Sequence, residues 1–470
     1  MTKANSNKTR QRFANGAVSD RLSFQNKVFN KEVHQMNKLL SILFISMLFA
    51  IVLGISGCSR EAGANISAAK TAEKTVSYSP ADKRVAKAED AIAKLPGLAK
   101  SHLALAAAIL AKVRETGDYS LNRRAEVSIN KALEIEPENF DAQILQTQIY
   151  LSEHKFSEAL ELAQKLEKVN PKSEAVLAAI TDAQTELGMY EEAVKSAQKF
   201  VDTRPNAASY TRVAHIRSLH GDVTGAIQAR QMALRIADPM DSEGLAWYHS
   251  ELGKEYWNAG KFAEAESNFD KALEIFPDYH WALAGKGKIL AGRGEHEKAI
   301  AAFEKLNSRA PEADRAIYLG DLYKIIGKNE QAQKAYEDAV RREREAAASD
   351  GGGELHRIAQ FWADSNTNLD EALEIAQQDR AENGDLAASD TLAWCLFKKG
   401  RYTEAKKYMA EAMRLKTKNA LFYFHLGMIE NAVGNRLEAL KYLKLSLETN
   451  PAFDLLHTET AKETLASIKG

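Results

Sequence analysis

Cysteine is almost missing from this sequence: only Cys58 and Cys395 occur among 470 residues. Two thiols cannot make a disulfide framework, and no Cys/His spacing resembles a zinc site. Cys395 lies in the apolar run Leu392 to Leu396 and reads as a small buried hydrophobe. Proline is scarce, at 9 residues, and alternating Val-Ile-Thr runs between paired turn signals are nearly absent, which excludes a sizeable sheet. An excess of either charge is also lacking, with 63 Lys plus Arg against 64 Asp plus Glu. A dedicated nucleic-acid binder needs a basic surface to displace counterions, so that class is excluded. Ala, Leu, Glu and Lys dominate instead, which is helix-rich usage. A chain of this length, 45% apolar and 27% charged, is a folded protein too long for one compact core.

The N-terminus breaks the pattern. Residues 39–57, LLSILFISMLFAIVLGISG, hold no charge, and as a helix such a run is ~28 Å long, enough to cross a bilayer. Lys38 and a basic segment (Lys3, Lys8, Arg10, Arg12, Arg21, Lys27, Lys31) precede it, which holds the N-terminus inside and sends the residues beyond the run across the membrane. The run ends Ile55-Ser56-Gly57-Cys58, which resembles the lipobox of bacterial lipoproteins. That resemblance implies cleavage before Cys58 and acylation of Cys58, a durable anchor. Met36 begins a complete signal peptide by itself, so residues 1–35 read as a basic extension or an over-long start. The competing reading is an uncleaved signal anchor from Met1. Both place the rest of the chain outside the cytoplasm. In a Gram-negative cell Ser59 favours an outer-membrane lipoprotein facing the periplasm. Residues 58–80 are small, polar and aperiodic, and read as the lipidated residue and a flexible tether.

Beyond the tether, one period dominates. Pro137, Pro171, Pro205, Pro239, Pro277 and Pro311 are separated by 34, 34, 34, 38 and 34 residues. Ala125, Ala159, Ala193, Ala226, Ala265, Ala299, Ala332, Ala372, Ala405 and Ala439 keep the same period. One unit reads Leu252-Gly253, Tyr256, Ala265, Phe269, Ala272, Pro277; others hold Gly287, Ala299, Phe303 and Pro311, or Leu319-Gly320, Tyr323, Ala332, Tyr336 and Ala339. These units resemble tetratricopeptide repeats over roughly 102–451, about ten in number. The resemblance implies an all-α, right-handed superhelical solenoid of antiparallel helix pairs. Small residues let paired helices approach, aromatics fill the space between pairs, and each proline stops a second helix because it lacks an N–H and clashes with the preceding turn. Glycines in the intervening turns, such as Gly188, Gly221, Gly260 and Gly400, supply positive φ.

Two departures punctuate the array. Residues 239–246 hold extra turn residues, and 341–353, RREREAAASDGGG, lengthens one helix before three glycines. Gly351 to Gly353 read either as a hinge or as a tolerated loop insertion. The expected organisation is a first solenoid part at 81–350, the glycine segment 351–353, a second part at 354–456 and a capping helix at 457–470. Residues 82–95 read as the second helix of an incomplete leading repeat.

In the family that these units resemble, first helices line a concave groove. Carried onto this sequence, the groove positions are Trp247, Ser250, Lys254, Trp257, Trp281, Lys288, Asp321 and Lys324. The C-terminal units add Trp394, Phe397, Phe424, Met428 and Asn431. Aromatics and Met in a groove anchor peptides and helices; their alternative role is packing against the next repeat. Lys254 and Lys288, 34 residues apart, could hold a carboxylate or stand as solvated lysines.

Catalytic signatures fail in turn. The stretch from Gly285 to Gly292 lacks the spacing and the Lys-Ser/Thr ending of a phosphate loop, and no HExxH or GxSxG occurs. The expectation is a non-enzymatic, membrane-tethered adaptor or assembly scaffold binding a protein or peptide at the cell envelope. It calls for no cofactor, metal, nucleic acid or small-molecule substrate. The alternative is an accessory regulatory subunit of an envelope enzyme acting on cell wall or polysaccharide.

Overall fold

The computed structural model describes residues 80–348 and 355–469. The basic extension, the apolar run, Cys58, most of the tether and the triplet Gly351 to Gly353 lie outside the described residues. Among those described there are 22 α-helices and no strand, and no helix is long and apolar enough to cross a membrane.

A leading helix, α1 (Pro80–Lys94), is followed by ten antiparallel pairs and a closing helix. The pairs are α2 (Ala99–Thr116) with α3 (Asn122–Ile135), α4 (Phe140–Ser152) with α5 (Phe156–Val169), α6 (Glu174–Glu186) with α7 (Tyr190–Thr203), and α8 (Ala207–Leu219) with α9 (Val223–Ile236). Then come α10 (Ser242–Asn258) with α11 (Phe262–Ile275), α12 (His280–Gly292) with α13 (His296–Arg309), and α14 (Ala313–Ile325) with α15 (Asn329–Ala348). The last are α16 (Leu355–Ser365) with α17 (Leu369–Glu382), α18 (Leu386–Lys398) with α19 (Tyr402–Ala412), and α20 (Ala420–Ala432) with α21 (Arg436–Thr449). The closing helix is α22 (His457–Lys469). Both departures from the period appear as long helices, 17 residues in α10 and 20 in α15.

The periodic residues do what their spacing demands. All ten alanines of the series are buried where paired helices cross. A methyl on Gly253 would lie 2.7 Å from the Phe269 ring, and one on Gly320 would lie 2.3 Å from that of Tyr336. Glycine there lets the partner's aromatic rest on the helix backbone. Pro137, Pro171, Pro205, Pro277 and Pro311 each follow the end of a second helix by two residues, where the missing N–H costs nothing.

The sequence does not announce that the solenoid closes on itself. The turn inside each of the first five repeats packs against an inter-repeat loop about five repeats further on. At Gly117 the neighbour is His280, whose Nε2 lies 3.1 Å from the Arg114 carbonyl. At Gly188 it is Gly384, and the Leu386 N–H donates to the Tyr190 hydroxyl at 3.0 Å. Gly221 meets Lys416, and the Thr417 hydroxyl donates to the Leu219 carbonyl. Gly260 meets Thr449, and Asn450 Nδ2 donates to the Trp257 carbonyl at 2.9 Å. In the second repeat the rings of His154 and His356 stand 6.2 Å apart. The corresponding glycines of later repeats, Gly294, Gly327, Gly400 and Gly434, have open space around them. A single seam thus joins the first turn of the coil to the second.

Candidate functional site

The first helices bring distant parts of the chain to a shared inner surface. Lys254 and Lys288 both keep solvent access. The coil crowded around it desolvates the Lys288 ammonium and holds it below the usual lysine range, although its side chain still reaches solvent, and charges on Asp314, Lys254, Asp454 and Arg357 act on it. Those residues span several repeats and the segment before α22, so the coil surrounds this lysine. Its Nζ also lies 5.6 Å above the Tyr318 ring.

Two carboxylates among the first helices, Glu186 and Asp321, are hard to ionise. Burial pushes Glu186 up to about 7, with Asp385 and Asp182 adding repulsion. Burial likewise raises Asp321 to about 7, although the Tyr336 hydroxyl donates to it at 2.8 Å. His215 moves the opposite way, to about 4, through burial and the nearby Arg230 and Lys254 charges. His215 lines a small cavity of about 200 Å³ with Thr181, Asp182, Arg212, Arg230, Trp247 and Glu251. Within it Arg212 pairs with Asp182 at 2.5 Å and Arg230 with Glu251 at 2.9 Å.

The expected groove residues divide by placement. Trp247, Trp281, Lys254, Lys288, Asp321, Lys324 and Asn431 have open or half-open surface, as do Phe397 and Met428. Ser250, Trp257, Trp394 and Phe424 are buried. The Ser250 hydroxyl donates to the Ala246 carbonyl at 2.8 Å. Trp257 packs on Phe262 with ring centroids 4.9 Å apart and sits in the seam under Ala452. Trp394 stacks between Phe397 at 4.7 Å and His425 at 4.1 Å, and its Nε1 donates to Asp364 at 2.6 Å. These four side chains are committed to packing, the alternative role that wide aromatics have at such positions. Cys395 is buried, and burial pushes its thiol up to about 12.

Sequence reasoning missed a larger cleft, of about 1040 Å³, beside the long α15. Tyr336, Val340, Phe361 and Trp362 supply its apolar floor, and Lys324, Arg341, Arg344 and Glu337 its rim. The Tyr336 and Phe361 rings are 4.8 Å apart, and Arg344 lies 5.6 Å over Trp362. The only hint in the sequence was the lengthened helix. Lys324 belongs both to this cleft and to the expected groove.

Also unforeseen is the grouping of Asp364, His425 and His457, which can bring three metal-ligating atoms within 4.8 Å of one another. They stand 61 and 32 residues apart in the chain, so no short motif could have signalled them.

Comparison with known proteins agrees with this architecture. A family model described as tetratricopeptide repeat matches residues 250–314, and another of the same description matches 319–345 and 388–419. A TPR repeat-containing protein of Methanocaldococcus jannaschii is 33% identical over 86 residues, covering 18% of this chain and 27% of that protein. Protein IFIT1 homolog B of Homo sapiens is 24% identical over 268 residues, 55% of this chain and 52% of its own length. The chain thus spans about half, or less, of these curated relatives. A solved structure, the human IFIT1 dimer with PPP-AAAA, superposes with a TM-score of 0.42 at 16% identity, covering 77% of each chain. The described residues thus form an all-α solenoid of ten antiparallel helix pairs with a buried alanine in each, in which the stretches 250–314, 319–345 and 388–419 match tetratricopeptide repeat models.

Proposed function

We propose that this chain is a membrane-tethered scaffold at the cell envelope that holds a protein or peptide segment without chemically altering it. Tetratricopeptide solenoids are interaction scaffolds, which supports the binding half of this reading. The observation that carries it here is the cleft beside α15, with an aromatic and aliphatic floor and a charged rim. A floor of this kind anchors an amphipathic segment by its apolar side chains, while the rim sets its orientation. Lys324, an expected groove residue, lies on the rim of this cleft. The tethering half rests on the uncharged run at 39–57 and the lipobox-like residues ending at Cys58.

The test is capture from envelope extracts with the wild-type chain and with Val340→Glu, which places a charge on the cleft floor. A partner recovered by the wild type and lost with the variant supports the reading; equal recovery sinks the assignment of the cleft. Cell fractionation with palmitate labelling, comparing wild type with Cys58→Ala, tests the tether separately, and unchanged labelling rules out acylation at Cys58.

A further inference from the structure

Three side chains from separate parts of the coil converge where the closing helix docks. Asp364 comes from α16, His425 from α20 and His457 from α22. His425 is completely buried, and its Nδ1 lies 2.9 and 3.0 Å from the two oxygens of the equally buried Asp390. A carboxylate oxygen accepts from Nδ1–H, the arrangement that turns Nε2 of a histidine toward a metal. Nε2 has no hydrogen-bond partner. An unpartnered nitrogen in a dry site is costly unless a cation or proton fills the space before it.

We propose that Asp364, His425 and His457 form a binding site for one zinc ion, which pins α22 to the eighth and tenth repeats. One edge of the group already has the length a metal site needs, and all three ligand atoms lie within 4.8 Å of one another. His457 Nε2 stands 3.4 Å from Asp364 Oδ1, longer than a good charge-assisted hydrogen bond, typically about 2.7–2.9 Å. It matches the edge of a tetrahedron around a metal with bonds of ~2.1 Å, an edge of ~3.4 Å. Nδ1 of His457 lies 3.4 Å from an Asp454 oxygen without hydrogen-bonding to it.

The surrounding residues hold the three groups still. Trp394 Nε1 at 2.6 Å and Gln360 Nε2 at 3.2 Å both donate to the Asp364 carboxylate. Trp394 stacks on His425, and Phe424 stacks on His457 with centroids 4.8 Å apart. Two imidazole nitrogens and one carboxylate oxygen suit zinc, whereas magnesium and calcium prefer all-oxygen shells. Three protein ligands leave the fourth tetrahedral position for water.

The experiment uses the purified full chain without a histidine tag, stripped with a chelator and desalted. Titration with zinc chloride is expected to saturate at one ion per chain and to raise Tm. Cobalt in its place is expected to give the intense visible absorption of a tetrahedral site. His425→Gln and His457→Gln should each abolish the stoichiometric binding while keeping the helical circular dichroism. Asp390→Asn, a positioning change, should weaken zinc by about 10- to 100-fold. If the cluster only shares protons, zinc leaves Tm unchanged and the wild type binds no more metal than the His425→Gln/His457→Gln double variant. Either result overturns the proposal.

Discussion

Alanine substitutions at Gly188 and Gly400 separate two demands on a turn glycine in this solenoid. Both residues have left-handed backbone, φ +69° and +74°, so alanine at either site costs about 1 kcal/mol in conformation alone. Gly400 has open space around it, and that cost is the whole effect. A methyl on Gly188 would stand 2.0 Å from the Gly384 carbonyl oxygen, a backbone atom, so the two turns of the coil must separate. Separation loses the Leu386-to-Tyr190 hydrogen bond, at 3.0 Å, which contributes about 1 kcal/mol. It also loosens the Arg414 guanidinium from the Tyr190 ring, 5.0 Å away, for roughly 0.5–1 kcal/mol. Gly188→Ala should therefore destabilise the chain by about 2.5–3 kcal/mol and Gly400→Ala by about 1 kcal/mol. Urea unfolding followed by circular dichroism measures the difference, and hydrogen exchange should show faster exchange of the Leu386 amide in Gly188→Ala only. If the two variants unfold within about 0.5 kcal/mol of each other, the seam does not press together in solution and the reasoning fails.

Burial contrasts give further expectations. Trp394→Ala removes a buried ring stacked on both sides and should cost about 3–5 kcal/mol, against within about 1 kcal/mol for the 39% exposed Trp281; denaturant midpoints decide this. Glu186→Gln tests a raised carboxylate. The native state keeps the proton up to about pH 7, while the unfolded chain loses it near its usual value, so wild-type stability falls as pH rises across that window. The glutamine variant lacks this slope, and its advantage should grow from nothing below about pH 4.5 to about 1–3 kcal/mol above pH 7. A constant difference across that range would contradict the assignment. Cys395 should resist thiol reagents in the native chain and react only on unfolding, which mass spectrometry after timed alkylation can follow.

What was legible in the sequence is what each repeat decides locally. The alanine series, the prolines and first-helix glycines such as Gly253 report packing between neighbouring helices, and neighbours in a solenoid are close in sequence. The leading helix, the long α15 and the closing helix were readable for the same reason. The seam was not, because it depends on small rotations summed over about five repeats. No single repeat encodes that sum, so Gly188 and Gly400 look alike in the sequence and differ completely in their surroundings. Trp257 and Trp394 show the same limit. Their register places them on the first helices, but contact with Ala452 in one case and with His425 and Asp364 in the other takes up their surfaces. The cleft beside α15 left a trace only as extra helix length, and the Asp364, His425 and His457 grouping left none.

The seam also sets an order of events during synthesis. A simple repeat array is complete at every length, since each new unit needs only the one before it. Here the turns at Gly188, Gly221 and Gly260 have no lid until residues 384, 416 and 449 have been made. A ribosome that has finished five repeats therefore carries a rod with a raw edge, and the C-terminal repeats finish the third, fourth and fifth. Truncation from the C-terminus should accordingly loosen the fifth repeat first, far from the cut, then the fourth and third, while the first repeat keeps its contact with His280.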